Sequence, residues 1–330
     1  MSNATGARTR VVGITQAQFR QVPASPEAEL LYITSLDLTD STPLEQDPTL
    51  AGGYRGEQKG LRGRLDVPGT ANVVVGSSIG FWLKHLIGQP ATTGTGPYVH
   101  TFQVGDGPLA LPAALGIERD YGEGITGDGR RIRNLDMRVA SGSFAFSAST
   151  TTQTASFTLV GASPREFPPA PIDADPMDFG HAGFELAGIN IVLDGGDTEF
   201  CIETLNLNWD NDLDTDQYCI SGGGLRHGLD EGLAIITGDG VGMFDSAVLL
   251  RKQRDDEPLA VAITLQRGTG DGTAGNEKLV ITVPVSVLEA TSPAINGPRG
   301  LRQNFTFRAY REAGSEVAVT AVLHTPRATI

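Results

Sequence analysis

Positive charge, cysteine, aromatic residues and long apolar runs are all scarce in this sequence, and each scarcity narrows what the chain can do. Its 330 residues carry 25 Lys and Arg against 39 Asp and Glu, a formal charge of −14. Gripping a nucleic-acid backbone needs clustered bases that displace counterions, so that role is disfavoured, whereas repelling nucleic acid is not. Two cysteines, Cys201 and Cys219, are too few for a disulfide framework and match no zinc spacing. The five histidines, His85, His100, His181, His227 and His324, show no ligand spacing, so neither metal nor cofactor is expected. No run approaches a membrane span, and the first twenty residues lack the apolar core of a secretory signal. The expectation is a chain made in the cytosol with no membrane partner.

What is abundant is punctuation. With 42 glycines and 19 prolines, and aromatics at only 6%, the composition suits many short strands joined by turns. Alternating segments recur: "LLYITSLDL" (30–38), "NLDMRVASGSFAFSA" (134–148), "TASFTLVG" (154–161), "GINIVLDG" (188–195), "KLVITVPVSVLEA" (278–290) and "LRQNFTFRAY" (301–310). Helices are expected only over 79–87 and 241–251. The fold class is all-β. "SPREFPPAPIDADPMD" (163–178) is too rich in proline and acid to pack as a strand and reads as a linker.

The two sides of that linker resemble each other in order. "ITSLDL" (33–38) matches "IETLNL" (202–207), and "GLRGRLD" (60–66) matches "GLRHGLD" (224–230). "IGFWLKHLI" (79–87) matches "VGMFDSAVL" (241–249), and Val139 and Phe157 match Val287 and Phe305. The sequence therefore divides into a first β domain with an N-terminal arm (1–162), the linker (163–178) and a second, similar β domain (179–330).

"VVVGSSIGFWLKHLIG" (73–88) raises a catalytic alternative, because strand, Gly-Ser-Ser-Ile-Gly turn and helix is the layout of a hydrolase elbow with Ser78 as nucleophile. The competing reading is a strand end and helix cap through Ser77 or Ser78. The second copy reads "TGDGVGMF" at this place, with Asp239 or Gly240 in the serine position, and the chain lacks the alternating β and α pattern of a hydrolase. A catalytic role is therefore not expected. "DNDLDTDQ" (210–217) lacks the glycine and terminal carboxylate of a calcium loop. "RGTGDGTAGNE" (267–277) is read as a hairpin loop. An adhesin or carbohydrate-binding sandwich would expose aromatics for sugar stacking, but Trp82 falls on a helix and Trp209 at a strand end.

In the order of these segments the chain resembles the major tail tube proteins of long-tailed, non-contractile bacteriophages, the siphophage type. The first half carries it in "ELLYITSLDL", "KGLRGRLDVPGTANVVVGSSIGFWLKHLIG", "YVHTFQV" and "LPAALGIERDYG", closing with "RRIRNLDMRVASGSFAFSA" and "TASFTLVGASP". The second carries it in "IETLNLNWDNDL", "GLRHGLDEGLAIITGDGVGMFDSAVL" and the run 279–310. The resemblance implies a structural protein of the virion, assembled in the host cytoplasm. Copies of the chain would stack as rings around a tape-measure protein, with tail terminator and distal tail proteins at the tube ends. DNA would later pass through the bore without specific binding. Each domain would be a β-sandwich with a flanking helix whose inner sheet joins its neighbours into a barrel. Two such domains per chain imply three chains per ring, or six if the second copy only decorates the surface.

Two residue sets follow. The family's long loop at 39–60 reaches the next ring, which nominates Thr39, Pro43, Glu45, Asp47, Tyr54, Arg55 and Lys59 for stacking. A bore that conducts DNA should repel phosphate, which nominates Asp37, Asp66, Glu118, Asp136 and Asp230, all on strands or strand ends, for an acidic lumen.

Overall fold

The protein is described by a computed structural model over residues 5–47, 59–104, 113–122, 130–196, 200–295, 297–298, 300–311 and 318–330. As expected the fold is all-β with two short helices. In the first half the elements are β1 (Arg10–Gln16), β2 (Glu29–Leu30), β3 (Ser35–Leu38), β4 (Leu44–Glu45), β5 (Leu61–Arg62), β6 (Val67–Val74), α1 (Gly80–Leu86), β7 (Ala91–Thr93), β8 (Tyr98–Gln103), β9 (Ala114–Asp120), β10 (Arg131–Ser147) and β11 (Thr154–Gly161). The second half adds β12 (Ile189–Leu193), β13 (Ile202–Asp210), β14 (Ile235–Met243), α2 (Val248–Arg254), β15 (Val261–Gln266), β16 (Lys278–Val283), β17 (Ser286–Ala290), β18 (Arg302–Ala309) and β19 (Thr320–Thr325).

Two sheets dominate. The larger follows the path β17-β18-β14-β13-β10-β11-β6-β3, with β9, β1 and β2 branching from the N-terminal part of the long β10. The smaller runs β12-β15-β16-β19-β8-β7. Both sheets draw strands from both sides of 163–178. Among the described residues neither closes into a barrel.

Alternation explains the packing. Val67, Gly69, Ala71 and Val73 of β6, Ala155, Phe157 and Leu159 of β11, and Leu205, Leu207 and Trp209 of β13 are all buried, and the residues that alternate with them are not. These faces share one core with Ile263, Leu279 and Leu323 of the smaller sheet. A sandwich results because period-two strands can bury only one face each. Helix α1 is not merely amphipathic. Phe81, Trp82, Leu83, His85 and Leu86 are all buried, and Lys84 reaches the carbonyl of Ile330 at 2.6 Å. A helix apolar nearly all round belongs inside a core.

Both halves place four strands in the same order and register. Leu36, Ala71, Phe157 and Gly142 lie opposite one another across β3, β6, β11 and β10. Leu205, Gly240, Phe305 and Ala290 do the same across β13, β14, β18 and β17. This register corrects one sequence match. "TGDGVGM" is strand β14, not a turn entering a helix, and α2 begins only at Val248. Its alternating glycines leave room for aromatic rings. A Cβ on Gly238 would lie 2.2 Å from Phe307, one on Gly240 2.5 Å from Phe305, and one on Gly242 2.2 Å from Phe200. Counting on in the corrected register, Ser78 is matched by Ala247, so the second half still lacks the serine.

The segment 163–178 contains no strand, but it is tied down. Glu166 exchanges backbone hydrogen bonds with Arg133, the Ile172 N–H reaches the Glu118 carboxylate, and Met177 pairs with Ala28. Across the halves, the buried Arg226 donates to Gly161 O at 2.9 Å and to Asp66 at 2.6 Å.

Candidate assembly surface

The unburied face of the large sheet is covered with short neutral polar side chains. Thr70 and Asn72 (β6), Ser156 and Thr158 (β11), Ser141 and Ser143 (β10), Asn206 and Asn208 (β13), Thr237 (β14), and Asn304 and Thr306 (β18) project from it. Several meet across strands: Ser143 Oγ donates to Asn208 Oδ1 at 2.8 Å, and Asn72 Nδ2 to Ser35 Oγ at 2.7 Å. Such cross-strand pairs stabilise the sheet and leave its face wet. Charge on the face is sparse. Asp37, Asp210, Asp239 and Glu289 supply carboxylates, Arg302 is held by Glu203 at 2.6 and 2.8 Å, Arg138 is paired with Glu231, and Arg308 stands exposed opposite Thr237 and Val287.

Both ends of the eight-strand path are open edges. Among the described residues β3 pairs only with β6 and β17 only with β18, apart from one backbone bond from Leu259 N to Ser286 O at the start of β17. Unpaired edge amides and carbonyls are templates for another chain, and proteins blunt them until a partner arrives. Here each edge carries one polar side chain. The Arg119 guanidinium donates to Leu38 O at 3.4 Å, and Gln253 Oε1 accepts from Ala290 N at 3.1 Å. A cleft of about 670 Å³, lined by Arg10, Tyr32, Ser35, Leu36 and Arg119, runs beside β3.

The nominated acids separate by environment. Asp37 stands on the open face, accepting from Thr39 Oγ1. Asp66 is half-exposed and bound to Arg226, and Asp230 accepts from Gln217 at 2.8 Å. Glu118 and Asp136 are buried. Glu118 is paired with Arg133 at 2.7 Å beneath the 163–178 segment. Asp136, at φ 55° in a bulge of β10, accepts from Gln16, the Arg20 N–H and Ser163. Period-two patterning nominates strand acids without saying which face they occupy, so Asp210, Asp239 and Glu289 were missed.

Of the loop residues, Thr39, Pro43, Glu45 and Lys59 are exposed, Asp47 is half-buried, and Tyr54 and Arg55 lie outside the described residues. Pro43 O accepts from Gly63 N at 2.8 Å at the base of the β4–β5 ribbon. On that ribbon Leu44 is 67% and Leu61 59% exposed, two apolar side chains left open among the described residues.

The elbow has a local structural role. Ser78 Oγ meets His181 Nδ1 at 2.8 Å, and Ser77 Oγ accepts from Ala182 N at 3.1 Å. Neither caps α1. The contacts continue a backbone pairing of 75–77 with 182–184. A serine hydrolase presents Nε2 to its nucleophile and orients the ring by a carboxylate on Nδ1. Here Nδ1 itself meets the serine, and the nearby Asp178 carboxylate takes its hydrogen bonds from Tyr32 and Gly180.

An open polar face, two free edges and an uncovered apolar ribbon define a structural protein built to assemble with copies of itself. The chain belongs to the phage tail tube protein family, whose profile matches residues 6–309, and is accordingly a virion tail component that polymerises into a tube. A comparison with curated proteins returned no match.

Proposed function

We propose that this chain is a siphophage-type major tail tube subunit with an internally duplicated tube domain (1–162 and 179–330, joined by 163–178), and that three copies form one ring. The observation that carries this reading is the β10–β13 pairing inside the chain, which joins two four-strand units of equal register edge to edge. Repeating that joint between β17 of one copy and β3 of the next closes the sheet and removes both edges.

Size agrees. Three copies supply twenty-four path strands, and at about 4.8 Å per strand the backbone ring is on the order of 37 Å across before tilt, wide enough for a duplex. The polar face then lines the bore. Asp37, Asp210, Asp239 and Glu289 outnumber the exposed Arg308 and leave it weakly acidic, while its neutral hydroxyls and amides add no counter-charge, so the genome slides without lasting binding. The protein acts without catalysis. The tape-measure protein fills the bore before ejection, tail terminator and distal tail proteins close the ends, and assembly takes place in the host cytoplasm. The symmetry of a reconstructed tube tests the reading: three chains and six similar units per ring are expected, and six chains per ring would overturn the equivalence of the halves.

A further inference from the structure

We infer the residue register of the joint between neighbouring chains: residues 290–294 of one copy extend β17 and pair antiparallel with residues 36–40 of the next, Ala290 opposite Asp40, Ser292 opposite Leu38 and Ala294 opposite Leu36. The inference rests on the proposed ring. It follows from two facts of the single chain. First, the halves superpose in register, Gly142 corresponding to Ala290 and Leu205 to Leu36. Second, the internal joint pairs Gly142 with Trp209, Phe144 with Leu207 and Phe146 with Leu205. Carrying each partner to its counterpart gives the register above.

The backbone already points the right way. Thr39 N donates to Pro68 O, so odd residues of β3 face β6 and the even residues 36, 38 and 40 face outward. Thr291 N donates to Asn304 O, so residue 291 faces β18 and residues 290, 292 and 294 face outward. The two side-chain plugs sit on this seam: Arg119 occupies Leu38 O and Gln253 occupies Ala290 N. Both must move aside for the strands to join. The seam also gives Ile295, 82% exposed in the single chain, a neighbouring strand to lie against.

Asn211 N donates to Ala140 O and Ala148 N to Glu203 O, which makes Ser143–Asn208 a non-hydrogen-bonded pair, the type with the closest side chains. Its counterpart between chains is Thr291–Thr39, both exposed. The experiment uses full-length protein in a Cys201→Ser, Cys219→Ser background. Thr39→Cys with Thr291→Cys is oxidised during assembly, beside the slipped pairs Asp37→Cys/Thr291→Cys and Ser41→Cys/Thr291→Cys, which keep the same face. Ser143→Cys/Asn208→Cys is the intrachain control, read by its altered migration. Expected is a reducible ladder on denaturing gels that ends at the trimer for the first pair and is absent from the slipped ones. A ladder in a slipped pair, or none in any pair from protein that forms tubes, overturns the register and leaves the ring standing. Protein whose intrachain control closes but which forms no assembly overturns both.

Discussion

The indole of Trp82 lies nearly parallel to the ring of Phe157, with centroids 4.9 Å apart and planes 10° from coplanar. Phe144 meets the other side of the cluster edge-on at 5.8 Å. Helix α1 is thereby fixed to the middle of the assembly sheet, at the strands that form the internal joint. In the second half Phe200 meets Phe305, the counterpart of Phe157, edge-on at 5.7 Å. Removing the indole leaves a cavity the β-strands cannot collapse into. Trp82→Ala should cost about 3–5 kcal/mol, read as a lowered urea midpoint.

Ser78→Ala tests the elbow. The substitution removes one contact to His181 and one strut between residues 75–78 and 181–184, a loss of about 1 kcal/mol. Tubes should form normally. Nitrophenyl ester hydrolysis by wild-type protein that vanished in the variant would establish a catalytic serine instead.

Stability should depend on pH through Glu29. Burial raises its carboxyl from 4.5 to about 7, with Arg327 and Lys84 opposing. Arg327 lies 3.6 Å away but also donates to Phe179 O and Gly180 O, so it relieves the carboxylate only in part. A raised folded value means stability fully present below about pH 4.5 and lost as pH rises through about 7. His85 works oppositely. Burial lowers it to about 3, so its contribution is present above 6.5 and lost as pH falls towards 3. The difference between wild type and Glu29→Gln isolates the first effect. From pH 7.5 to pH 5 wild type should gain on the variant by about 2 kcal/mol, and an unchanged difference in chemical-denaturation curves would contradict it.

Much of this architecture was legible in the sequence because alternation and punctuation encode strands directly. The strand order and register common to the two halves left a trace too, in the match of "ITSLDL" with "IETLNL", whose residues Leu36 and Leu205 occupy equivalent places in their four-strand units. The helix match failed because glycines in β14 look like a turn. Their purpose, admitting Phe305 and Phe307, depends on a strand some sixty residues away. Which face a strand carboxylate occupies was not legible for a related reason. A carboxylate on an alternating segment can face either side, and only its partners reveal that Glu118 and Asp136 face inward.

Ring stacking should depend on the ribbon of β4 and β5 and its loop. Leu44 and Leu61 stand exposed on neighbouring strands, which suits burial against the next ring. Replacing residues 43–55 with a short Gly-Ser linker should leave the fold and rings intact while abolishing long tubes. Electron micrographs of normal tubes from that variant would remove the loop from stacking.

The proposed acidic bore yields the last prediction. Asp239 sits on the open face, where its carboxylate accepts from Asn206 Nδ2 at 2.8 Å. Asp239→Lys alters neither the core nor an edge, so assembly should survive. In a tube, however, the change repeats in every chain of every ring, and a passing duplex meets many copies at once. Each phosphate neutralised releases counterions and steepens the salt dependence of binding by about 0.9 in log–log slope. Open tubes of the variant should therefore retain linear duplex DNA at low salt and release it as salt rises, while wild-type tubes retain none at either. Asn304→Lys, a neutral position on the same face, should behave alike. Ala274→Lys carries the same charge off the face, on the exposed β15–β16 loop of the smaller sheet, so retention that tracks net charge wherever the lysine is placed would point to general attraction. Wild-type tubes that bound DNA in a salt-dependent way would show that the face attracts phosphate, and the acidic bore would be wrong.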